Sequence, residues 1–497
     1  MLLMNHSRSG SPDRSELSAL YDDRLHDSCG VFGIHAPGRD VARLTFFGLY
    51  ALQHRGQESA GIAVADDGQI TVIKDLGLVS QVFNEQMLQS LSGQHAIGHV
   101  RYSTTGASHW QNSQPLVRSR NGDVIALGHN GNLVNTTELR DELIAQGVKF
   151  AGTTDTEVIT ALIAHEAEGD LLGAVRTAVG KIRGAFSAAV MSGSAVVGFR
   201  DPYGVRPLCL GDFEGHPVFS SETSGLDIIG TDFVREIQPG EIVIADREHG
   251  LRSERVELEG SRPALCIFEF IYFARPDSVM NGKTLHVVRQ EMGKHLAMEA
   301  PVEADLVIPV PDTGMPAAIG YSAASGIPYT EGLIKNRYVH RTFIQPDDQL
   351  RQVGIRMKLN PLTSVIRGKR LVVVDDSIVR GNTTGKLVDM LFGAGAKEVH
   401  LRISSPPIQW PCYYGIDMAT RAELIAANKS VDEIRDHVGA TSLHYLTLDG
   451  LQASSGLPRE QFCRACFDGD YPIAVPEEYA MCKMRFEKGA AAAVCDP

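Results

Sequence analysis

Two apolar runs in the second half of the chain, VIPV at 307–310 and LVVV at 371–374, each give way to a polar, glycine-bearing turn and then to a segment with helical spacing. A strand that is apolar on both faces and leads through a turn into a helix is the unit of a parallel sheet covered on both sides. This half is therefore expected to be α/β. The first half is written differently. From Cys29 to about residue 258, short strand-like runs such as GIAVADDGQITVIKDLG and VIALGHNGNLVN alternate with Gly and Asn turns, and one helix is expected at TDTEVITALIAHEAEG (154–169). Layered sheets with some helix should result. A chain of 497 residues exceeds what one core usually serves, and the change of pattern places the boundary between two domains near 258.

The ends differ from both halves. Residues 1–28 are polar and mixed in charge, and Cys29 then opens the apolar run CGVFGI, so the fold is expected to begin at Cys29. Residues 471–497 carry no strong pattern and read as a mobile tail. A formal net charge of −13 argues against a broad nucleic-acid footprint, which needs clustered cations. No run is long and apolar enough to span a bilayer, and the N-terminus lacks the apolar core of a secretory signal. A cytoplasmic address is expected, and eight cysteines in so long a chain are too sparse for a disulfide scaffold.

Taken alone, Cys29 is a buried structural cysteine, the commonest fate of a free thiol. Its neighbours change that reading. LQHRGQESAGIAV, with His54, Arg55 and Gly56, is followed by HVRYST (99–104), GHNGNLVN (128–135) and GTTDTE (152–157). In order and approximate spacing these segments resemble class II glutamine amidotransferases. The resemblance implies a four-layer αββα domain of the N-terminal nucleophile type over 29–258, with Cys29 as nucleophile and Asn130 and Gly131 as the oxyanion hole. It also implies Arg101 on the glutamine α-carboxylate and Asp155 on the α-ammonium. The chemistry agrees. A thiol of pKa about 8.5 needs a base to attack a carboxamide, and an α-amine of pKa about 8, freed by removal of residues 1–28 as a propeptide, can be that base. Singly, each residue also has an ordinary reading: Arg101 as a surface ion pair, Asn130–Gly131 as a hairpin turn, Asp155 as a helix cap.

In the second half, LVVVDDSIVRGNTTGKLVDMLFGAGA (371–396) places Asp375 and Asp376 at a strand end. The amides of Arg380, Gly381, Asn382, Thr383 and Thr384 then lead into a helix N-terminus suited to phosphate. Two adjacent carboxylates repel one another unless hydroxyls or a metal relieve them. The segment resembles the phosphoribosyl pyrophosphate (PRPP) loop of type I phosphoribosyltransferases, and VIPVPDTGMPAAIGYS (307–322) resembles their pyrophosphate loop, with Thr313, Asp375 and Asp376 implied around Mg²⁺. The 371–396 segment lacks the Gly-Lys-Ser/Thr ending of a Walker loop, so it does not imply ATP. Between the motifs, Lys335, Arg337, His340, Arg341, Arg356 and Lys358 concentrate positive charge, as expected of a lid over pyrophosphate or of a solvated basic loop.

Cys463 and Cys466 form a C-x-x-C pair, which permits zinc, iron–sulfur or redox chemistry. The surroundings of Cys266 (ALCIFEFIYFARPDS) and Cys412 (PPIQWPCYYGID) resemble cluster-bearing amidotransferases, which implies a 4Fe-4S cluster on Cys266, Cys412, Cys463 and Cys466. A zinc site or plain structural thiols are the alternatives. Cys209, Cys482 and Cys495 are left out of the set.

The two halves together resemble the glutamine phosphoribosylpyrophosphate amidotransferase family. That implies a phosphoribosyltransferase α/β domain over 259–470 and conversion of glutamine, PRPP and water to 5-phosphoribosylamine, glutamate and pyrophosphate, the first step of purine (IMP) synthesis. A homotetramer inhibited by purine nucleotides such as AMP and GMP is also implied. The rival readings are another class II amidotransferase, such as asparagine synthetase or glucosamine-6-phosphate synthase, and a non-catalytic regulator on a phosphoribosyltransferase fold. Neither accounts for both halves.

Overall fold

The computed structural model describes residues 29–66, 68–102, 109–166, 170–336, 359–418 and 420–476. The expected propeptide lies outside these residues. So do the lid positions Arg337, His340, Arg341, Arg356 and Lys358, and the cysteines at 482 and 495.

The first half holds two antiparallel sheets. In the seven-stranded sheet, β1 (Gly30–His35) lies between His216–Ser220 and β2 (His95–Arg101), and the strands Ser59–Asp66 and Gln69–Leu76 follow β2. In the six-stranded sheet, β3 (Asp123–Leu133) pairs with β4 (Gly184–Met191), and Asn130 and Gly131 stand opposite Ser187 and Phe186. The asparagine–glycine pair is therefore inside a strand and not at a hairpin turn, so the ordinary turn reading fails. A turn signal set by two residues is overridden by pairing along the whole strand.

The sheets pack face to face because each strand alternates its side chains. Val31 of β1 points to the inner layer with Ala126, Ala189 and Phe219, whereas Phe32 and Ile34 point outward to the helix Val41–Ala51. On the other outer face, α1 (Asp155–Glu166) and the helix Leu171–Lys181 cover Leu127, Phe186 and Phe199. These are the four layers expected, with more helix than the residue pattern indicated.

The second half is built on four parallel strands in the order β5 (Leu306–Pro309), β6 (Arg370–Asp375), β7 (Glu398–Ile403) and β8 (Ser442–Tyr445). Val372 and Val374 of β6 face a core with helices α2 (Leu285–Glu299) and α3 (Met315–Ser325), while Leu371 and Val373 face a second core with α4 (Asn382–Gly393). Helices α2 and α3 touch backbone to backbone. A Cβ at Gly293 would stand 1.8 Å from the carbonyl oxygen of Ala317, and one at Gly320 would stand 1.9 Å from that of Gln290.

One core joins the halves. Val134, Ala185 and Val205 share it with the segment 264–274 and with Cys266, Cys412, Cys463 and Cys466. The chain past 470 is also held: Tyr471 donates to the Pro411 carbonyl at 2.7 Å, and the Ile473 carbonyl accepts from the Tyr414 hydroxyl at 2.5 Å. The start of the expected tail is thus docked on the Cys412 loop, through contacts that its local pattern did not announce.

Candidate active site

Cys29 lies immediately before β1 and is buried. Its Sγ donates to the Tyr102 carbonyl at 3.3 Å and accepts from the Tyr102 N–H at 3.4 Å. Burial pushes the thiol up to about 11, while the Tyr102 N–H and the Arg101 charge pull it back. Such a thiol does not ionise unaided near neutrality. Arg101 ends β2 and is buried rather than on the surface, with Glu58 at 3.7 Å. Asp155 opens α1, and its carboxylate accepts from the N–H of Leu133 at 3.2 Å and of Thr156 at 2.8 Å. The bond that caps the helix comes instead from Thr154, whose hydroxyl accepts from the Glu157 N–H at 3.3 Å. Both Arg101 and Asp155 lie within electrostatic reach of Cys29.

The Asn130 side chain is fully buried, and neither of its polar atoms has a hydrogen-bond partner. An orphaned buried amide normally costs stability unless something else satisfies it. Gly131 beside it has φ +142°, and a Cβ there would stand 1.9 Å from the Ala185 carbonyl oxygen. Only glycine allows β3 this approach to β4. His99 and His129 sit close by but are buried and structural. His99 shares a hydrogen bond with the His129 carbonyl at 2.9 Å, and desolvation lowers it to about 3, so it stays neutral.

In the second half, the Asp376 carboxylate accepts hydrogen bonds from the hydroxyls of Thr313 and Ser377. Asp375 accepts from the Asp376 N–H at 2.9 Å. Thr313, 62 residues upstream of Asp375, is thus brought against the acidic pair at the end of β6. Gly381, in the left-handed region at φ +85°, turns the chain into α4, with Asn382, Thr383 and Thr384 in its first turn. Lys335 reaches Asp312 at 2.5 Å, and Arg380 reaches Glu423 at 3.4 Å.

Cys266, Cys412, Cys463 and Cys466 are all buried. Cys266 pairs in parallel with Cys463, and their sulfurs lie within electrostatic reach of one another and of the other two. The N–H groups of Phe268, Tyr414 and Ala465 point at Cys266, Cys412 and Cys463 respectively. Among the described residues, no three His, Cys, Asp or Glu side chains are grouped to hold a single metal ion. Cys209 lies elsewhere, donating to the Ser220 carbonyl at 3.1 Å.

Residue patterns gave no role to a buried ion network between the halves. Arg55 donates to the Cys29 carbonyl at 3.1 Å and to Glu269 at 2.7 Å and 3.1 Å, and it also bonds Glu222. The one signal available was Glu269 itself, a lone charge in the apolar run LCIFEFIYFA.

A family model described as a glutamine amidotransferase domain matches residues 99–227. The amidophosphoribosyltransferase of Synechococcus elongatus is 55% identical over 94% of this chain and 95% of its own length. That of Methanothermobacter thermautotrophicus is 45% identical over 92% and 97%. Among solved structures, one described as the allosteric regulatory enzyme of purine biosynthesis superposes with a TM-score of 0.86 at 46% identity, covering 90% of this chain and 97% of that one. The glutamine PRPP amidotransferase of B. subtilis complexed with ADP and GMP matches with a TM-score of 0.86 at 45% identity, over 91% and 99%. Fold and site together define a glutamine-dependent transferase that joins a glutaminase half to a phosphoribosyltransferase half. The chain belongs to the amidophosphoribosyltransferase family.

Proposed function

We propose that Cys29 attacks the glutamine carboxamide and that Asn130 and Gly131 receive the oxyanion. The observation that carries this is the Asn130 amide, buried without a partner on the strand whose Leu133 N–H holds Asp155. A preorganised donor left unsatisfied by the protein is what a developing oxyanion requires, and one such donor is worth roughly 3–4 kcal/mol. Arg101 binds the α-carboxylate and Asp155 the α-ammonium. The α-amine of Cys29, exposed by removal of residues 1–28, takes the thiol proton and passes it to the leaving ammonia. Water then hydrolyses the thioester to glutamate. Ammonia attacks C1 of PRPP, pyrophosphate leaves, and 5-phosphoribosylamine forms as the first committed intermediate of purine synthesis.

In the second half, Asp375 and Asp376 bind the ribose hydroxyls, while Arg380, Gly381, Asn382, Thr383 and Thr384 cradle the 5-phosphate. Thr313 and the two aspartates fit Mg²⁺, which usually takes one or two carboxylates and keeps the rest of its shell for water and substrate phosphate. When bound, the ion neutralises charge on the departing pyrophosphate. The four buried cysteines fit a 4Fe-4S cluster better than zinc. A cluster takes one thiolate at each of four separated corners, whereas zinc needs its ligands gathered around one point. The cluster would pin Cys266, Cys412, Cys463 and Cys466 together, as a structural element and not a reactant.

This reading divides the chain into a propeptide of 1–28, a glutaminase domain of 29–258 and a phosphoribosyltransferase domain from 259 to about 470. The finer features proposed with it are a homotetramer, a cytoplasmic address and inhibition by purine nucleotides; the last is supported by the ADP and GMP bound to the B. subtilis relative. Among the described residues, no helix is long and apolar enough to cross a membrane.

Cys29→Ala tests the assignment. Glutamine-dependent formation of 5-phosphoribosylamine should vanish while ammonia-dependent formation persists, and the active wild-type chain should have the intact mass of one starting at Cys29. Glutamine turnover by Cys29→Ala, or by a chain retaining residues 1–28, would sink it.

A further inference from the structure

Glu269 sits where the two halves meet, fully buried in the short π-helical turn Glu269–Phe273. Three arginines, also buried, converge on this turn. On one side Arg55 bonds the Glu269 carboxylate at 2.7 Å and 3.1 Å and, through Nε, the carbonyl of Cys29 at 3.1 Å. On another side Arg206 lies 3.5 Å from the same carboxylate and donates to the Tyr414 carbonyl at 3.0 Å and 2.8 Å. From α2, Arg289 donates to the carbonyls of Phe270 at 2.8 Å and Ala274 at 2.7 Å, and its charge lies within reach of Asp376.

The loop that Arg206 grips also touches the oxyanion strand directly. The Tyr413 carbonyl accepts from Asn132 Nδ2 at 2.9 Å. A Cβ at Gly415 would stand 2.7 Å from the Gly131 carbonyl carbon, so only a glycine lets the loop seat there. One loop of the second half therefore fixes both components of the glutaminase centre. It reaches the oxyanion segment by contact, and the carbonyl of the nucleophile through Arg206, Glu269 and Arg55.

We propose that Glu269 is a positioning residue for glutamine hydrolysis, holding the Cys29 backbone in register with the Tyr413–Gly415 loop by sharing its carboxylate between Arg55 and Arg206. The proposal rests on Cys29 being the nucleophile and on Asn130 and Gly131 forming the oxyanion hole. The Glu269 side chain is fully buried against the two arginines. Removing the carboxylate charge takes away the Arg206 ion pair and leaves Arg55 held by Glu222, so the donor to the Cys29 carbonyl loses its link to the second half. A displaced nucleophile lowers the rate of attack more than it lowers glutamine affinity, because Arg101 and Asp155 are untouched.

The test compares Glu269→Gln and Glu269→Asp with the wild-type enzyme. It measures kcat and KM with glutamine, kcat with ammonia, and the rate at which a diazoketone analogue of glutamine alkylates Cys29, read by intact mass. For Glu269→Gln, the ratio of glutamine-dependent to ammonia-dependent kcat should fall by about tenfold or more, with slower alkylation and a glutamine KM within about threefold of wild type. Glu269→Asp, which keeps the charge, should recover part of that ratio. A ratio within about threefold of wild type in Glu269→Gln overturns the proposal. Parallel loss of both activities in the two variants also overturns it, since the network would then serve folding alone. Failure of the analogue to label Cys29 in the wild-type enzyme would instead remove the assignment of the nucleophile.

Discussion

Asn130 is costly to the fold, and the proposed mechanism gives its amide a use. Its amide is buried with both polar atoms unpartnered, so replacing it should not cost a native hydrogen bond. Asn130→Ala is expected to leave the melting temperature within a few degrees of wild type while glutamine-dependent kcat falls by roughly 10²–10³, the effect of losing one oxyanion donor. Ammonia-dependent activity should not change. Steady-state kinetics with each nitrogen source and a thermal melt check this, and an unfolded Asn130→Ala would show that the amide is structural. Arg101 and Asp155 were legible as candidates from their motifs, but their burial was not, because burial follows from strands brought together across the sheets. Arg55 and Glu222 were less legible. Each is an ordinary charged residue locally, and its meaning comes from a partner more than a hundred positions away.

At the scale of elements, the strand–turn–helix units were the most readable part of the chain. An apolar run such as LVVV, rich in β-branched residues and closed by a polar turn, fits a strand buried on both faces, and β6 places its alternate valines in two different cores. Asn130–Gly131 was the opposite case, since a local turn signal was defeated by the pairing of β3 with β4. The turn into α4 supports a prediction. Gly381 has φ +85°, and a Cβ there would stand 2.9 Å from Ile425 Cδ1. Gly381→Val should cost about 1–2 kcal/mol for the left-handed backbone alone and should tilt the amides proposed to hold the 5-phosphate. The KM for PRPP is expected to rise at least several-fold with the glutamine KM little changed, and an unchanged PRPP KM would place the phosphate elsewhere.

For the whole molecule, the two halves are joined by a common core that contains four cysteines from three separate segments. Cysteine spacing alone could not announce that meeting, since Cys266 and Cys412 stand alone and only Cys463 and Cys466 form a recognisable pair; the set of four came from the resemblance of the segments around Cys266 and Cys412 to cluster-bearing amidotransferases. If a 4Fe-4S cluster pins these segments, anaerobically purified protein should carry about four irons per chain with visible absorbance. Cys412→Ser should lose most of that iron. Because the Cys412 loop seats on Gly131 and Asn132, the same variant should lose glutamine-dependent activity as well. Protein free of iron and absorbance, yet fully active, would leave the cysteines as core residues.

The central claim is that one chain couples glutamine hydrolysis to displacement of pyrophosphate. It is tested most directly by measuring glutamate and pyrophosphate release together from anaerobically purified enzyme given glutamine and Mg²⁺, with and without PRPP. Equal release of the two products, with glutamate formation dependent on PRPP, is the expected result. Glutamate release without pyrophosphate, or neither product from a chain shown to begin at Cys29, would contradict it.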